Sequence, residues 1–224
     1  MESNHYVYSQ LMIGNKFDTC TLENVFKDAY SKIQDHNSSL KCASVMQQGI
    51  LPKQKHFDRL FTDSFIIYKA QSHVSGDFYW LAEVNGYKYI AVGDCTGHGI
   101  SAAMMTMLGL SLINIIVLNK QVKDTGDIIQ ELDRKFIATF PYSTTRFNND
   151  WIDISLIRID SDKKEFQYTT ANRKILVVND NSSELYQTCK LPVGAWQMSE
   201  KRVFTSEIIS YKTGDKLYLG SDGF

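Results

Sequence analysis

Four cysteines in 224 residues, Cys20, Cys42, Cys95 and Cys189, stand far apart and form no C-x-x-C pair. That spacing argues against both a zinc knuckle and a secreted disulfide framework, and a reducing cytoplasm fits it best. An excess of one charge is missing too. Lys and Arg number 24 against 25 Asp and Glu, a formal net charge of −1, so nothing general is present to neutralise a phosphate backbone and nucleic-acid binding has no electrostatic support. The opening Met1-Glu2-Ser3-Asn4-His5 lacks the basic-then-apolar order of a signal peptide. One stretch, Ile100 to Asn119, lacks charge altogether. Ser101, Thr106, Ser111 and Asn114 make it too mixed for a membrane span, and a helix buried between a sheet and another layer is expected there.

The length suits one domain with an arm. Residues 1–38 read as that arm, with a helix from Leu22 to Gln34 and Thr21 as its N-cap. From Ser39 a second amphipathic helix places Leu40, Ala43, Gln47, Ile50 and Leu51 at helical spacing until Pro52 stops it. Strand patterns follow at Phe65–Tyr68, Phe78–Val84 and Tyr87–Val92. Asn85-Gly86 between the last two predicts a type I′ hairpin, because both central residues of that turn need φ > 0. The uncharged helix and a second one, Thr125–Thr139 with Ile128, Ile129, Leu132 and Phe136 on one face, form a helical layer. The remainder returns to strands, at Trp151–Ile159, Glu165–Thr170, Lys174–Val178, Glu184–Gln187, Val203–Tyr211 and Lys216–Gly220. Strands, then helices, then many antiparallel strands give an α+β layered fold.

The chemistry concentrates in two segments of that hairpin, Ser75-Gly76-Asp77-Phe78-Tyr79-Trp80 and Gly93-Asp94-Cys95-Thr96-Gly97-His98-Gly99. The turn folds Asp77, at the start of one strand, toward Asp94, at the end of the next. Convergent carboxylates on rigid backbone suit a hard divalent cation. Gly97 and Gly99 let the backbone approach a ligand, and the helix that follows offers free N–H groups to an anion, which makes Gly97, His98 and Gly99 a candidate phosphate-binding loop. Metal-assisted chemistry on a phosphate is the leading reading. A third strand-end carboxylate, Asp222, stands in the closing Ser221-Asp222-Gly223-Phe224. Asp150 and Asp153 read as strand-edge and turn residues, and Arg173 as a solvated hairpin arginine within reach of a substrate phosphate. His5, His36, His56 and His73 have no ligand-like spacing.

Ala43-x-x-x-Gln47-x-x-Ile50-Leu51-Pro52, the Ser-Gly-Asp-Phe-Tyr-Trp box, the run Gly93 to Ala103, Ala171-Asn172, Leu191-Pro192-Val193-Gly194 and Ser-Asp-Gly-Phe occur in the order that resembles bacterial SpoIIE/RsbU-type phosphatases. These form a PP2C-like branch of the metal-dependent serine/threonine phosphatases. The resemblance covers residues 39–224. It implies an α-β-β-α sandwich with two Mn²⁺ or Mg²⁺ ions at one end, and removal of phosphate from phosphoserine or phosphothreonine. It also implies roles: Asp94 bridging the ions, Cys95 contributing its backbone carbonyl, and Asp77 and Asp222 completing most of the shell. His98 lies four positions after the aspartate rather than two, which favours a structural or phosphate-orienting role over general acid. The substrate class implied is a small phosphorylated regulatory protein such as an anti-anti-sigma factor.

The pattern also departs from the family. Relatives continue past Asp-Gly-Phe through another helix to a last strand with a further acidic ligand, so the expectation is a fragment or a shortened protein with a weakened second cation site. A rival reading from another class is therefore a catalytically weak phosphatase-like module that binds a phosphoprotein or regulatory partner in the same groove. A third, a nucleotidyl cyclase, is disfavoured by the long antiparallel C-terminal half. The arm sits where relatives join a sensor or coiled coil to the catalytic sandwich, and an N-terminal helix of this kind can also pair with a second copy.

Overall fold

The computed structural model describes residues 19–70, 72–119, 122–139, 150–194 and 202–223, with the side chains of 19–23 and 119 left aside. The expected arm before residue 19, and Phe224 of the closing motif, lie outside the described residues. The chain divides into two units, residues 1–42 and 43–224. Helix α1 is Thr19–Ile50, so the two N-terminal helices expected from the sequence are one. The polar run Asp35-His36-Asn37-Ser38-Ser39 contains neither Gly nor Pro. Its residues stay exposed and the Ser39 hydroxyl donates to the Asp35 carbonyl at 3.0 Å, so helical geometry continues through it. Thr21 consequently lies inside α1 rather than capping it.

After a short helix α2, Gln54–Leu60, which the sequence reading did not foresee, comes the segment Phe65–Tyr68. It is extended, with Ile66 and Tyr68 partly buried and Phe65 and Ile67 exposed, but it joins no described strand. Alternation alone does not make a ladder. The expected hairpin is present: β1, Asp77–Val84, pairs antiparallel with β2, Tyr87–Cys95. Asn85 and Gly86 turn at φ 53° and 82°, as the I′ geometry requires.

Helix α3, Gly99–Asn114, widens into a π turn over Ile115–Asn119. It is the one helix among the described residues long and apolar enough to cross a membrane, and 56 % of that window is buried within the fold. Helix α4, Thr125–Thr139, follows. Asp124 starts it by accepting from the N–H groups of Gly126 and Asp127 at 2.8 and 3.1 Å. Then come β3 (Trp151–Asp160), β4 (Glu165–Ala171), β5 (Ile175–Val178), β6 (Ser183–Tyr186), β7 (Val193–Gly194), β8 (Glu207–Ser210) and β9 (Lys216–Leu219).

Two antiparallel sheets result. The larger runs β1-β2-β3-β4-β8 with β7 on the end of β3; the smaller runs β6-β5-β9. Strand alternation gives the large sheet two apolar faces. One carries Phe78, Trp80, Tyr89, Ala91, Ile154 and Leu156 against Ile113, Ile116, Ile128, Leu132 and Phe136 of the helical layer. The other carries Ile157, Phe166 and Tyr168 against Ile175 and Val177 of the small sheet. The face expected of α4 is the one buried. This is an α+β fold of two stacked antiparallel sheets with helices. The chain crosses from the large sheet to the small one between Ala171 and Ile175.

Candidate active site

The hairpin register sets Asp77 directly opposite Asp94, and the next pairing sets Asp94 directly opposite Asp153. Three aspartates therefore form one rung across β1, β2 and β3. Their sequence neighbours Phe78, Cys95, Ile152 and Ile154 point into the helix-side core, so period-2 alternation puts the rung on the face toward the small sheet. From that sheet's side, Asp222 follows β9 and Arg173 sits in the crossover before β5. The guanidinium Nη2 of Arg173 hydrogen-bonds Asp94 Oδ2 and lies 3.7 Å from Asp153 and 3.8 Å from Asp222. Side-chain exposure is 11 % for Arg173 and 81 % for Asp222, so a largely covered cation meets carboxylates from both sheets at one end of the stack.

Local backbone explains why Asp77 is held so firmly. Buried Gln47 on α1 donates from Nε2 to the Ser75 carbonyl at 2.6 Å and accepts from the Ser75 N–H at 3.0 Å. Thr106 of α3 donates to the Gly76 carbonyl at 2.7 Å, and the Asp77 N–H donates to Ser75 Oγ at 3.1 Å. Gly76 has no substitute: a Cβ there would stand 2.5 Å from the Cys95 carbonyl oxygen. The two acidic segments are thus packed backbone on backbone, with the Cys95 N–H donating to Gly76 at 3.1 Å.

Like charges on one rung disfavour ionisation. Burial, and then the Asp77 charge, push the Asp94 carboxyl up to about 7 despite the pull of Arg173. Burial also raises Asp77, against the Ser221 hydrogen bond and Arg173, and it raises Asp153, against Asn172 and Arg173. Asn172 holds Asp153 through both carboxylate oxygens at 3.0 Å from a left-handed backbone, φ 55°. Cys95 is 1 % exposed. Burial pushes its thiol up to about 12, so only its backbone carbonyl is available as a hard ligand.

Among the described residues, no three His, Cys, Asp or Glu side chains already stand spaced around a metal ion; Arg173 holds the middle. The donor chemistry nevertheless suits one. Asp77, Asp94, Asp153, Asp222 and the Cys95 carbonyl are hard oxygen donors, and three of these carboxylates share the one guanidinium of Arg173.

The sequence-derived candidates distribute as follows. Asp77, Asp94, Cys95 and Asp222 converge. Gly97 and His98 form an exposed turn that leads into half-buried Gly99, the first residue of α3; the His98 side chain makes no hydrogen bond or ion pair among the described residues, and its carbonyl accepts from Ser101 at 3.4 Å. Two residues read as bland belong to the centre. Asp153 is not a strand-edge bystander, because the β2–β3 register carries it onto the rung. Arg173 is not solvated, because the crossover turns it inward over Asp94. The signal for Asp153 was its alternation with Ile152 and Ile154, which needed the pairing of β2 with β3 to become informative. Asp150 makes no ion pair among the described residues, and burial raises its carboxyl.

Comparison with known proteins gives the arrangement a family. The model of the Stage II sporulation protein E (SpoIIE) family matches residues 85–224. Phosphoserine phosphatase RsbP of Bacillus subtilis (strain 168) is 27 % identical over 187 residues, 82 % of this chain and 44 % of that protein. The chain thus spans under half of RsbP. Among solved structures, the SiaA-PP2C domain of Pseudomonas aeruginosa superposes with a TM-score of 0.71 at 26 % identity, covering 88 % of this chain and 74 % of that one. The RsbU and RsbW domains of Rv1364c from Mycobacterium tuberculosis share the fold at 21 % identity and a TM-score of 0.53, over 66 % of this chain and 38 % of theirs. With strand-end aspartates converging from two stacked antiparallel sheets, and a family match over more than half its length, the chain belongs to the SpoIIE family of PP2C-type serine phosphatase domains.

Proposed function

We propose that this chain hydrolyses phosphoserine or phosphothreonine on a phosphorylated regulatory protein, of the anti-anti-sigma kind, using two divalent cations, Mn²⁺ or Mg²⁺. The observation that carries this reading is the rung Asp77–Asp94–Asp153 with Asp222 reaching it from the other sheet. Asp77, Asp94, Asp222 and the Cys95 carbonyl would hold the cations. Bound there, they supply an acidified water and neutralise charge on the phosphoryl group. The chain's own part is to fix the ligands: Gln47, Thr106 and Ser75 hold the Asp77 loop, and the Gly76–Cys95 contact sets its distance from Asp94. The loop Gly97-His98-Gly99 presents the first N–H groups of α3 to phosphoryl oxygens, with His98 orienting them. RsbP, a phosphoserine phosphatase by name, supports the substrate class. Free Cys42, Cys95 and Cys189 are consistent with a reducing, cytoplasmic setting.

The test is phosphate release from a phosphoserine peptide with Mn²⁺, abolished by Asp94→Asn. A second reading, a phosphatase-like module that binds a phosphoprotein without turning it over, draws on the position of Arg173 at the carboxylate centre. Phosphopeptide binding without phosphate release, in the presence of Mn²⁺, selects that reading.

A further inference from the structure

Arg173 has no part in the hydrolysis proposed above, yet among the described residues it is the cation that meets the most carboxylates. It meets Asp94, Asp153 and Asp222 together, and no other Lys, Arg or His pairs with these carboxylates among the described residues. Its Nε is buried with no hydrogen-bond partner. A guanidinium placed for hydrogen bonding would use that donor; this one forgoes it, and what it gains is proximity to three negative charges. Its backbone is fixed by the residue before it, since Asn172 is tied to Asp153 by two hydrogen bonds of 3.0 Å.

We propose that Arg173 is a built-in counter-ion that takes the place of a divalent cation among Asp94, Asp153 and Asp222, so that cation and guanidinium compete for the same carboxylates. The inference rests on the cation-dependent reading above. A divalent ion on Asp94 Oδ2, at the roughly 2.0–2.6 Å usual for Mg²⁺ or Ca²⁺ on oxygen, would stand beside the Arg173 donor on the same oxygen, and the repulsion between the two cations weakens the hold of each. The side chain can swing away because it belongs to the short crossover between β4 and β5 rather than to a ladder. Asp153 then has a double duty, holding Arg173 when the cation is absent and remaining tied to Asn172 when it is present. The arrangement keeps a rung of like charges folded before loading, at the expense of cation affinity.

The experiment is calorimetric titration of the full chain with Mn²⁺, alongside thermal unfolding in chelator, for wild type, Arg173→Gln and Arg173→Lys. Arg173→Gln should bind Mn²⁺ about tenfold more tightly, because a competing charge is gone, and in chelator should unfold several degrees lower, about 3–8 °C for the loss of its ion pairs. Arg173→Lys, which keeps the charge, should bind Mn²⁺ close to wild type. Equal or weaker Mn²⁺ binding by Arg173→Gln overturns the proposal. Should that variant fail to fold, the Nε–H resonance of Arg173, assigned through Arg173→Lys, decides: a shift on saturating wild type with Mg²⁺ supports displacement, and an unmoved resonance overturns it. Wild type that binds neither Mn²⁺ nor Mg²⁺ overturns instead the cation-dependent reading on which the inference rests.

Discussion

Replacing Gln47 by Met tests whether α1 holds the Asp77 loop in place. Gln47 is 2 % exposed, and its amide meets Ser75 as a strand neighbour would, donating at 2.6 Å and accepting at 3.0 Å. Methionine keeps the length and the apolar stem but removes both hydrogen bonds. Each is worth about 1 kcal/mol net, and a buried group left without a partner costs about 1–3 kcal/mol. The Ser75 N–H would have no partner, and its carbonyl would keep only a 3.4 Å contact with the Thr106 hydroxyl, whose single hydrogen goes to the Gly76 carbonyl at 2.7 Å. The expected loss is about 2–3 kcal/mol, a fall in Tm of about 4–12 °C for a unit of this size. Urea unfolding followed by tryptophan fluorescence measures it. Gln47→Glu adds a second handle. A buried carboxylate still accepts from the Ser75 N–H but opposes the Ser75 carbonyl, so its pKa rises and the variant regains stability as pH falls from 8 to 5. A loss below about 0.5 kcal/mol in Gln47→Met, the range of an ordinary surface change, would refute the clamp.

Asp94 gives a prediction with a definite sign. Its carboxyl is raised from the ordinary value to about 7, so its ionisation costs stability that accumulates as pH rises from about 4 to 7 and is complete above. In chelator, Asp94→Asn should therefore be more stable than wild type at pH 8, and the advantage should shrink toward pH 5; with 23 % of the side chain exposed, solvent screening brings the gain to about 1–2 kcal/mol. Equal or lower stability at pH 8 would refute it. The Cys95 thiol, buried and pushed up to about 12, should resist alkylation at pH 8 until the protein unfolds, while exposed Cys42 reacts at once; peptide mapping after iodoacetamide reads both.

Much of this was legible in sequence because it is local. Asn85-Gly86 fixes the hairpin register through backbone conformation alone, and that register places Asp77 opposite Asp94. The face of α4 follows from a 3.6-residue period that burial then respects, Ile128, Ile129 and Leu132 being fully enclosed. What was not legible depends on pairing between distant segments. Asp153 reaches the rung only because β3, 55 or more residues after β2, lies alongside it. Arg173 turns inward only because Asn172 adopts a left-handed backbone and ties to Asp153. The break expected in α1 was misplaced for the opposite reason: polar residues with modest helix propensity tolerate a helix when both ends of it are anchored by better formers. Phe65–Tyr68 shows that an alternating pattern specifies exposure before it specifies a ladder partner.

In the proposed phosphatase, strand-end aspartates from two sheets would hold the cations on which turnover depends. Phosphate release from a phosphoserine peptide, measured with Mn²⁺ and with chelator for wild type, Asp77→Asn and Asp94→Asn, tests it most directly. Release by wild type should require Mn²⁺ and should fall by at least about 100-fold in either variant, the scale of losing a group that fixes the reacting centre. Release that persists in chelator, or that survives Asp94→Asn, would contradict it.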